Sequence, residues 1–170
     1  MSRTAHLRIP FFDAQHRAFA EELDQWAYQA VADVEGGNGG HDDVDAACRQ
    51  WVRALGEAGW LRHCVPAGYG GAHDPLQSLY LVIARETLAR HSGLADFAFT
   101  MQGLGSAPIT LAGSDELKTN YLPRVAKGEA IAAFALTEPD AGSDVAAMAL
   151  AARRTGDHYV LDGEKTFISN

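Results

Sequence analysis

The chain is poor in cysteine: Cys48 and Cys64 are the two thiols in 170 residues. That is too few for the disulfide framework of a secreted scaffold, and no Cys-x-x-Cys pair gives the spacing of a zinc site. Both thiols are expected as buried or half-buried packing groups in a reduced, cytoplasmic setting, and no metal is expected. No apolar run reaches the roughly 18 residues of a membrane span. Arg3, His6 and Arg8 are followed by Pro10 and Asp13 without an apolar stretch, so no secretory signal is read at the N-terminus. Basic residues are also scarce, with 14 Lys and Arg against 22 Asp and Glu and a formal charge of -8. Such a balance disfavours a phosphate backbone as partner, and nucleic-acid binding is not expected. No internal repeat is present.

What the chain does have is an ordinary globular composition, 47% hydrophobic and 21% charged, enough for one sizeable core. Residues 1–10 read as a disordered or loosely docked leader. Between Phe11 and Val34, the residues Phe19, Leu23, Trp26, Ala30 and Val34 recur at spacings of three and four, the mark of an amphipathic helix. The glycine-rich stretch from Gly36 to Gly40 breaks it and reads as a loop. Asp42 or Asp43 can cap a second helix carrying Val44, Cys48, Trp51, Leu55 and Ala58, with Gly59 as its stop. Trp26 and Trp51 are read as helix-packing residues.

The short apolar run 60–65 leads into the turn Pro66-Ala67-Gly68-Tyr69-Gly70-Gly71. A third helix is expected over 76–90, with Pro75 at its first turn and burial on more than one side. A fourth, over 94–112, is rich in small residues such as Gly103, Gly105, Ser106 and Ala107, which either permit close helix packing or leave room for a ligand; packing is favoured. Ser114 caps a fifth helix with Leu117 and Tyr121 expected inward and Pro123 expected to end or kink it. After Gly128 the pattern changes. Segments 131–136, 147–153, 158–161 and 165–169 read as strands, joined by Thr155-Gly156-Asp157 and by an Asp162-Gly163 hairpin turn. Helices first and strands second give an α+β chain in two parts, residues 1–127 all-α and 128–170 β, with an unpaired sheet edge at Ser169 and Asn170.

The chemistry concentrates in Phe134-Ala135-Leu136-Thr137-Glu138-Pro139-Asp140-Ala141-Gly142-Ser143-Asp144. An apolar, buried strand is expected to run into a turn bearing hydroxyls, glycine and acids. Pro139 ends it, Gly142 allows close approach of a bulky group, and Ser143 and Asp144 bring oxygens and local turn bonds. An edge of this kind suits a flat polar heterocycle with a phosphate tail. The ring can meet the Thr137 hydroxyl and strand amides, and the phosphates the amides of Gly142 and Ser143.

Leu136-Thr137-Glu138-Pro139 followed by Gly142-Ser143-Asp144 resembles the signature of the flavin-dependent acyl-CoA dehydrogenases. Pro66-x-x-Tyr69-Gly70-Gly71 is similar to that family's turn. Tyr121-Leu122-Pro123 with Gly128-Glu129 is similar to the helix end before its first strand, and Gly163 with Lys165 to Asn170 to its returning strand. The matches keep the family's order across most of the chain. The resemblance implies an N-terminal helical bundle and the start of an antiparallel β domain, with the family's C-terminal helical domain absent from these 170 residues.

The resemblance also implies FAD as cofactor. It places Phe134, Leu136 and Thr137 along the isoalloxazine, Gly142 and Ser143 at the pyrophosphate, and Phe167, Ile168 and Ser169 as an aromatic-led triplet against the ring. The family usually has Trp and Thr where this chain has Phe167 and Ser169. Ser143 is also implied at the acyl-CoA, with Asp96, Thr100 and Gly103 lining the acyl cavity; ordinary helix packing is the competing reading for these three. The implied reaction is α,β-dehydrogenation of an acyl-CoA to the trans-2-enoyl-CoA, in fatty acid metabolism, with electron-transfer flavoprotein as acceptor and a homodimer or homotetramer as the assembly. No residue here matches the family's catalytic base, so none is assigned; Glu138 is implied to shape the loop and Asp144 to fix the turn. Two alternatives stay open: a flavin oxidase or monooxygenase of the same superfamily, and a non-catalytic truncated subunit.

Overall fold

The computed structural model describes residues 4–36 and 43–169. The chain divides into two compact units, Met1–Ala132 and Ala133–Asn170.

The first unit is helical. α1 (Ala14–Glu35) starts at Asp13, whose carboxylate accepts from the His16 amide while the His16 ring returns the bond to the Asp13 amide. This reciprocal cap places the helix start after Phe11. α2 (Val44–Glu57) is capped by Asp43, which accepts from the Ala46 amide at 2.8 Å; Asp42 and Gly37 to Gly40 lie outside the described residues. The run 60–65 folds as a 3-10 turn, Trp60–Cys64, and not as a strand. α3 (Ser78–His91), α4 (Gly93–Ala112) and α5 (Asp115–Ala126) follow. α4 is the hub: α2, α3 and α5 all pack on it, and α1 lies against α3. Leu23, Trp51, Leu55, Leu61, Ile83, Leu88, Phe99 and Leu122 form a fully buried centre. Trp26 packs edge-on against Trp51 at 6.3 Å, and the Trp51 indole donates to Glu35 at 2.8 Å, so both tryptophans join helices.

Several expectations are corrected here. The leader is docked where it is described, since Leu7 is buried in the core and Arg17 donates to the Phe12 carbonyl at 2.7 Å. Pro75 precedes α3, which starts at Ser78. α3 buries one face, Ile83, Ala84, Thr87 and Leu88, and leaves Val82 exposed. In α5 the buried side chains are Leu122, Val125 and Ala126, while Leu117 and Tyr121 face outward. Pro123 lies inside α5, which runs on to Ala126.

Gly128 and Gly71 are each fixed by close backbone approach. A side chain at Gly128 (φ 70) would fall 2.4 Å from the Val52 carbonyl oxygen, which lets the chain after α5 cross α2. A side chain at Gly71 would fall 1.6 Å from the Val65 oxygen, and this closes the turn begun at Pro66. Gln102, fully buried, then clasps the unit's last residues: its amide donates to the Ala130 carbonyl at 2.8 Å and accepts from the Ala132 amide at 2.7 Å.

Among its described residues the second unit has one hairpin, β1 (Ala151–Thr155) antiparallel to β2 (His158–Asp162), with Thr155 opposite His158. Gly156 and Asp157 make the turn, so Asp162-Gly163 is not a hairpin turn here. Segment 147–153 is a strand only from Ala151, after a 3-10 turn at Val145–Ala147. Segments 131–136 and 165–169 form no strand, and Phe167 makes a bend within the second. A strand exists only through its ladder, and among the described residues neither segment has a complete partner. Nor is 131–136 buried: its residues alternate between exposed and half-buried. The unpaired edge expected at Ser169 is therefore not a sheet edge, and Asn170 lies outside the described residues.

Candidate functional site

Within the second unit the motif folds as a tight turn. The Glu138 amide donates to the Ala141 carbonyl at 2.9 Å, and the Ala141 amide returns the bond at 3.2 Å, with Pro139 and Asp140 at the tip. Proline suits that tip because it presets its own φ and has no amide to satisfy.

Glu138 holds this turn against the rest of the unit. One carboxylate oxygen accepts from the Ala149 amide at 2.6 Å; the other accepts from the Leu150 amide at 3.0 Å and from Lys165 Nζ at 2.9 Å. The Lys165 hydrogen bond, then the Ala149 amide, holds the carboxyl down at about 2, far below the usual carboxylate range. Such a group is a fixed anion and no proton abstractor at neutral pH. Lys165 also donates to the Leu136 carbonyl at 2.7 Å, and the Thr166 amide donates to the Thr137 carbonyl at 2.9 Å. The two expected flavin segments are thus brought together at Leu136, Thr137, Lys165 and Thr166.

The donors around this junction are free. Among the described residues the hydroxyls of Thr137, Ser143 and Ser169 and the amides of Gly142 and Ser143 make no hydrogen bond. The turn therefore does not use them to satisfy itself. Gly142 has open space where a side chain would stand, and Ser143 is exposed. Phe134 and Leu136 are half-buried, Ile168 is 36% exposed, and Phe167 is 90% exposed with a left-handed backbone at φ 54. The Asp144 carboxylate does not cap the following 3-10 turn; only its carbonyl bonds, to the Ala147 amide at 3.1 Å.

In the first unit, Asp96 and Thr100 share one face of α4, and the Thr100 hydroxyl donates to Asp96 at 3.2 Å. Asp96 is also held by Arg85 through two bonds of 2.9 and 3.1 Å. Gly103 faces the Cys64 sulfur, 3.5 Å from where its side chain would begin. Cys64 itself is buried, its thiol pushed up to about 12 by desolvation, and Cys48 is half-buried.

Two features escaped the sequence reading. Lys165 was legible only as part of a strand, although a buried glutamate requires a cation nearby. The second is a stack: Tyr80 lies 4.4 Å from His73, 4.6 Å from His16 and 5.3 Å from His63, and His63 Nδ1 and His73 Nε2 are 3.2 Å apart. Histidines scattered over three elements give no spacing signal. Among the described residues no group of three metal-ligating side chains occurs, and no helix is long and apolar enough to cross a membrane.

Comparison with known proteins places this geometry. The family model for the N-terminal domain of acyl-CoA dehydrogenase matches residues 13–129, and that for the middle domain matches residues 133–170. The chain is 42% identical over 120 residues to a glutaryl-CoA dehydrogenase of Desulfococcus multivorans, covering 70% of this chain and 31% of the relative. It is 36% identical over 163 residues to a 3-(aryl)acrylate reductase of Clostridium sporogenes, covering 94% of this chain and 41% of the relative. An acyl-CoA dehydrogenase of Bacillus anthracis, solved in complex with FAD, superposes with a TM-score of 0.73 at 33% identity over 94% of this chain and 27% of that one. The chain thus spans well under half the length of these relatives. With both domain models matching in order along almost all of it, the chain belongs to the acyl-CoA dehydrogenase family.

Proposed function

We propose that these residues form the N-terminal part of an FAD-dependent acyl-CoA dehydrogenase, with the helical domain in residues 1–127 and the β domain beginning at 128. The observation that carries the reading is the junction of Thr137 with Thr166, together with the hydroxyls of Thr137, Ser143 and Ser169 and the amides of Gly142 and Ser143, which make no hydrogen bond among the described residues. A flavin needs donors at the polar edge of its ring and at its phosphates, and this donor set fits it. Thr137 and the neighbouring amides orient the ring, Phe134, Leu136, Phe167 and Ile168 shield its faces from water, and Ser169 adds a hydroxyl. Gly142 and Ser143 hold the pyrophosphate. FAD bound there supplies acceptance of a hydride from the acyl β-carbon.

On the substrate side the proposal keeps Ser143 at the acyl-CoA and Asp96, Thr100 and Gly103 along the acyl chain. No catalytic base is assigned within these residues, since Glu138 is committed to Lys165 and two amides. Electron-transfer flavoprotein is the proposed acceptor, a homo-oligomer the proposed assembly, and fatty acid metabolism in the cytoplasm the proposed setting.

The test is a titration of the 170-residue chain with FAD, followed by flavin fluorescence, then addition of an acyl-CoA. The expected result is saturable but weak binding, lost on desalting, with no bleaching. Absence of saturable quenching defeats the flavin reading. Flavin retained through purification and bleached by acyl-CoA defeats the expectation of weak binding without turnover.

A further inference from the structure

Phe167 is a bulky residue at φ 54, a strained conformation, and its ring is 90% exposed. With so little of the ring covered, packing does not set this backbone. The two residues before it do. Lys165 Nζ reaches the Leu136 carbonyl at 2.7 Å, Glu138 at 2.9 Å and the Met148 sulfur at 3.4 Å, and its side chain is 18% exposed. The Thr166 amide is fixed on the Thr137 carbonyl at 2.9 Å. Glu138, in turn, is 6% exposed and tied to two further amides. A lysine so placed bridges the end of one segment and the start of the other, and strain persists where the surroundings over-determine it.

We propose that Lys165 and Glu138 are positioning residues: their ion pair pins segment 165–169 to Thr137 and presents the ring of Phe167 in a preset, left-handed pose to the face of a flat ligand ring. The inference rests on the flavin reading above. Its content is that the ligand's shield is organised before binding by groups behind the junction, so that binding does not have to order it.

The test is a double-mutant cycle on FAD affinity with Lys165→Met, Glu138→Gln and the pair, together with amide exchange at Thr166. Either single change is expected to raise the dissociation constant about tenfold and to strip protection from the Thr166 amide. The double variant is expected to be no worse than the worse single, and protection in α1 to α5 is expected to be unchanged. Loss of Thr166 protection with unchanged affinity, or effects that add in the double variant, overturns the inference while leaving the flavin reading intact. If Lys165→Met fails to fold, Glu138→Gln, which keeps an acceptor for one of the two amides, carries the same comparison. No saturable FAD binding by the unaltered chain overturns both.

Discussion

The amide of Thr166 donates to the carbonyl of Thr137 across 2.9 Å, and through this bond the end of segment 131–136 meets the start of segment 165–169. Neither segment pairs as a strand, so the junction depends on side chains, chiefly Lys165 and Glu138.

That dependence has a pH signature. Glu138 ordinarily titrates near 4.5 and is held at about 2 in the fold by Lys165 and the Ala149 and Leu150 amides. A depressed carboxyl stabilises the fold above its unfolded value, and the contribution is lost as pH falls from about 4.5 towards 2. The amide shifts of Ala149 and Leu150 are expected to move through that window, and Glu138→Gln to abolish the movement. A transition centred at the ordinary carboxylate value would refute the assignment.

A second, separate window belongs to the histidine stack in the helical unit. Burial, then the charges of His73 and Arg62, lower His63 from 6.5 to about 4. A base depressed in this way favours the folded state above 6.5, and that stability drains away as pH falls to about 4. Urea midpoints measured between pH 7 and pH 4.5 should decline. His63→Phe, which keeps a ring against Phe19, Tyr80 and His73, should flatten the decline; an unchanged slope would show that another group carries it.

The glycines separate fold from ligand. Gly71→Ala drives a methyl into the Val65 carbonyl and should cost at least the roughly 1–3 kcal/mol of overpacking, read as a lower denaturation midpoint. Gly142→Ala meets open space, so stability should hold while FAD titration weakens. Equal affinity in Gly142→Ala would remove that residue from the phosphate site.

In the core, Phe99 is 1% exposed on the hub helix α4. Phe99→Ala should destabilise the helical unit by about 3–5 kcal/mol in chemical denaturation. A loss below about 1 kcal/mol would mean that the surrounding helices collapse into the space.

The sequence by itself determined the helices and the chemistry-bearing turn. Period, caps at Asp43 and Ser114, and the order Thr137-Glu138-Pro139 are local properties, and local physics reads them. Tertiary structure decided which face of α5 is buried, whether 131–136 and 165–169 pair, and where the charge of Glu138 is neutralised. Strand pairing and ion pairing join residues far apart in the chain, so neither leaves a periodic trace in one sequence. Outward-facing Leu117 and Tyr121 illustrate the same limit: a helix shows which residues share a side, and only its neighbours choose which side is inside.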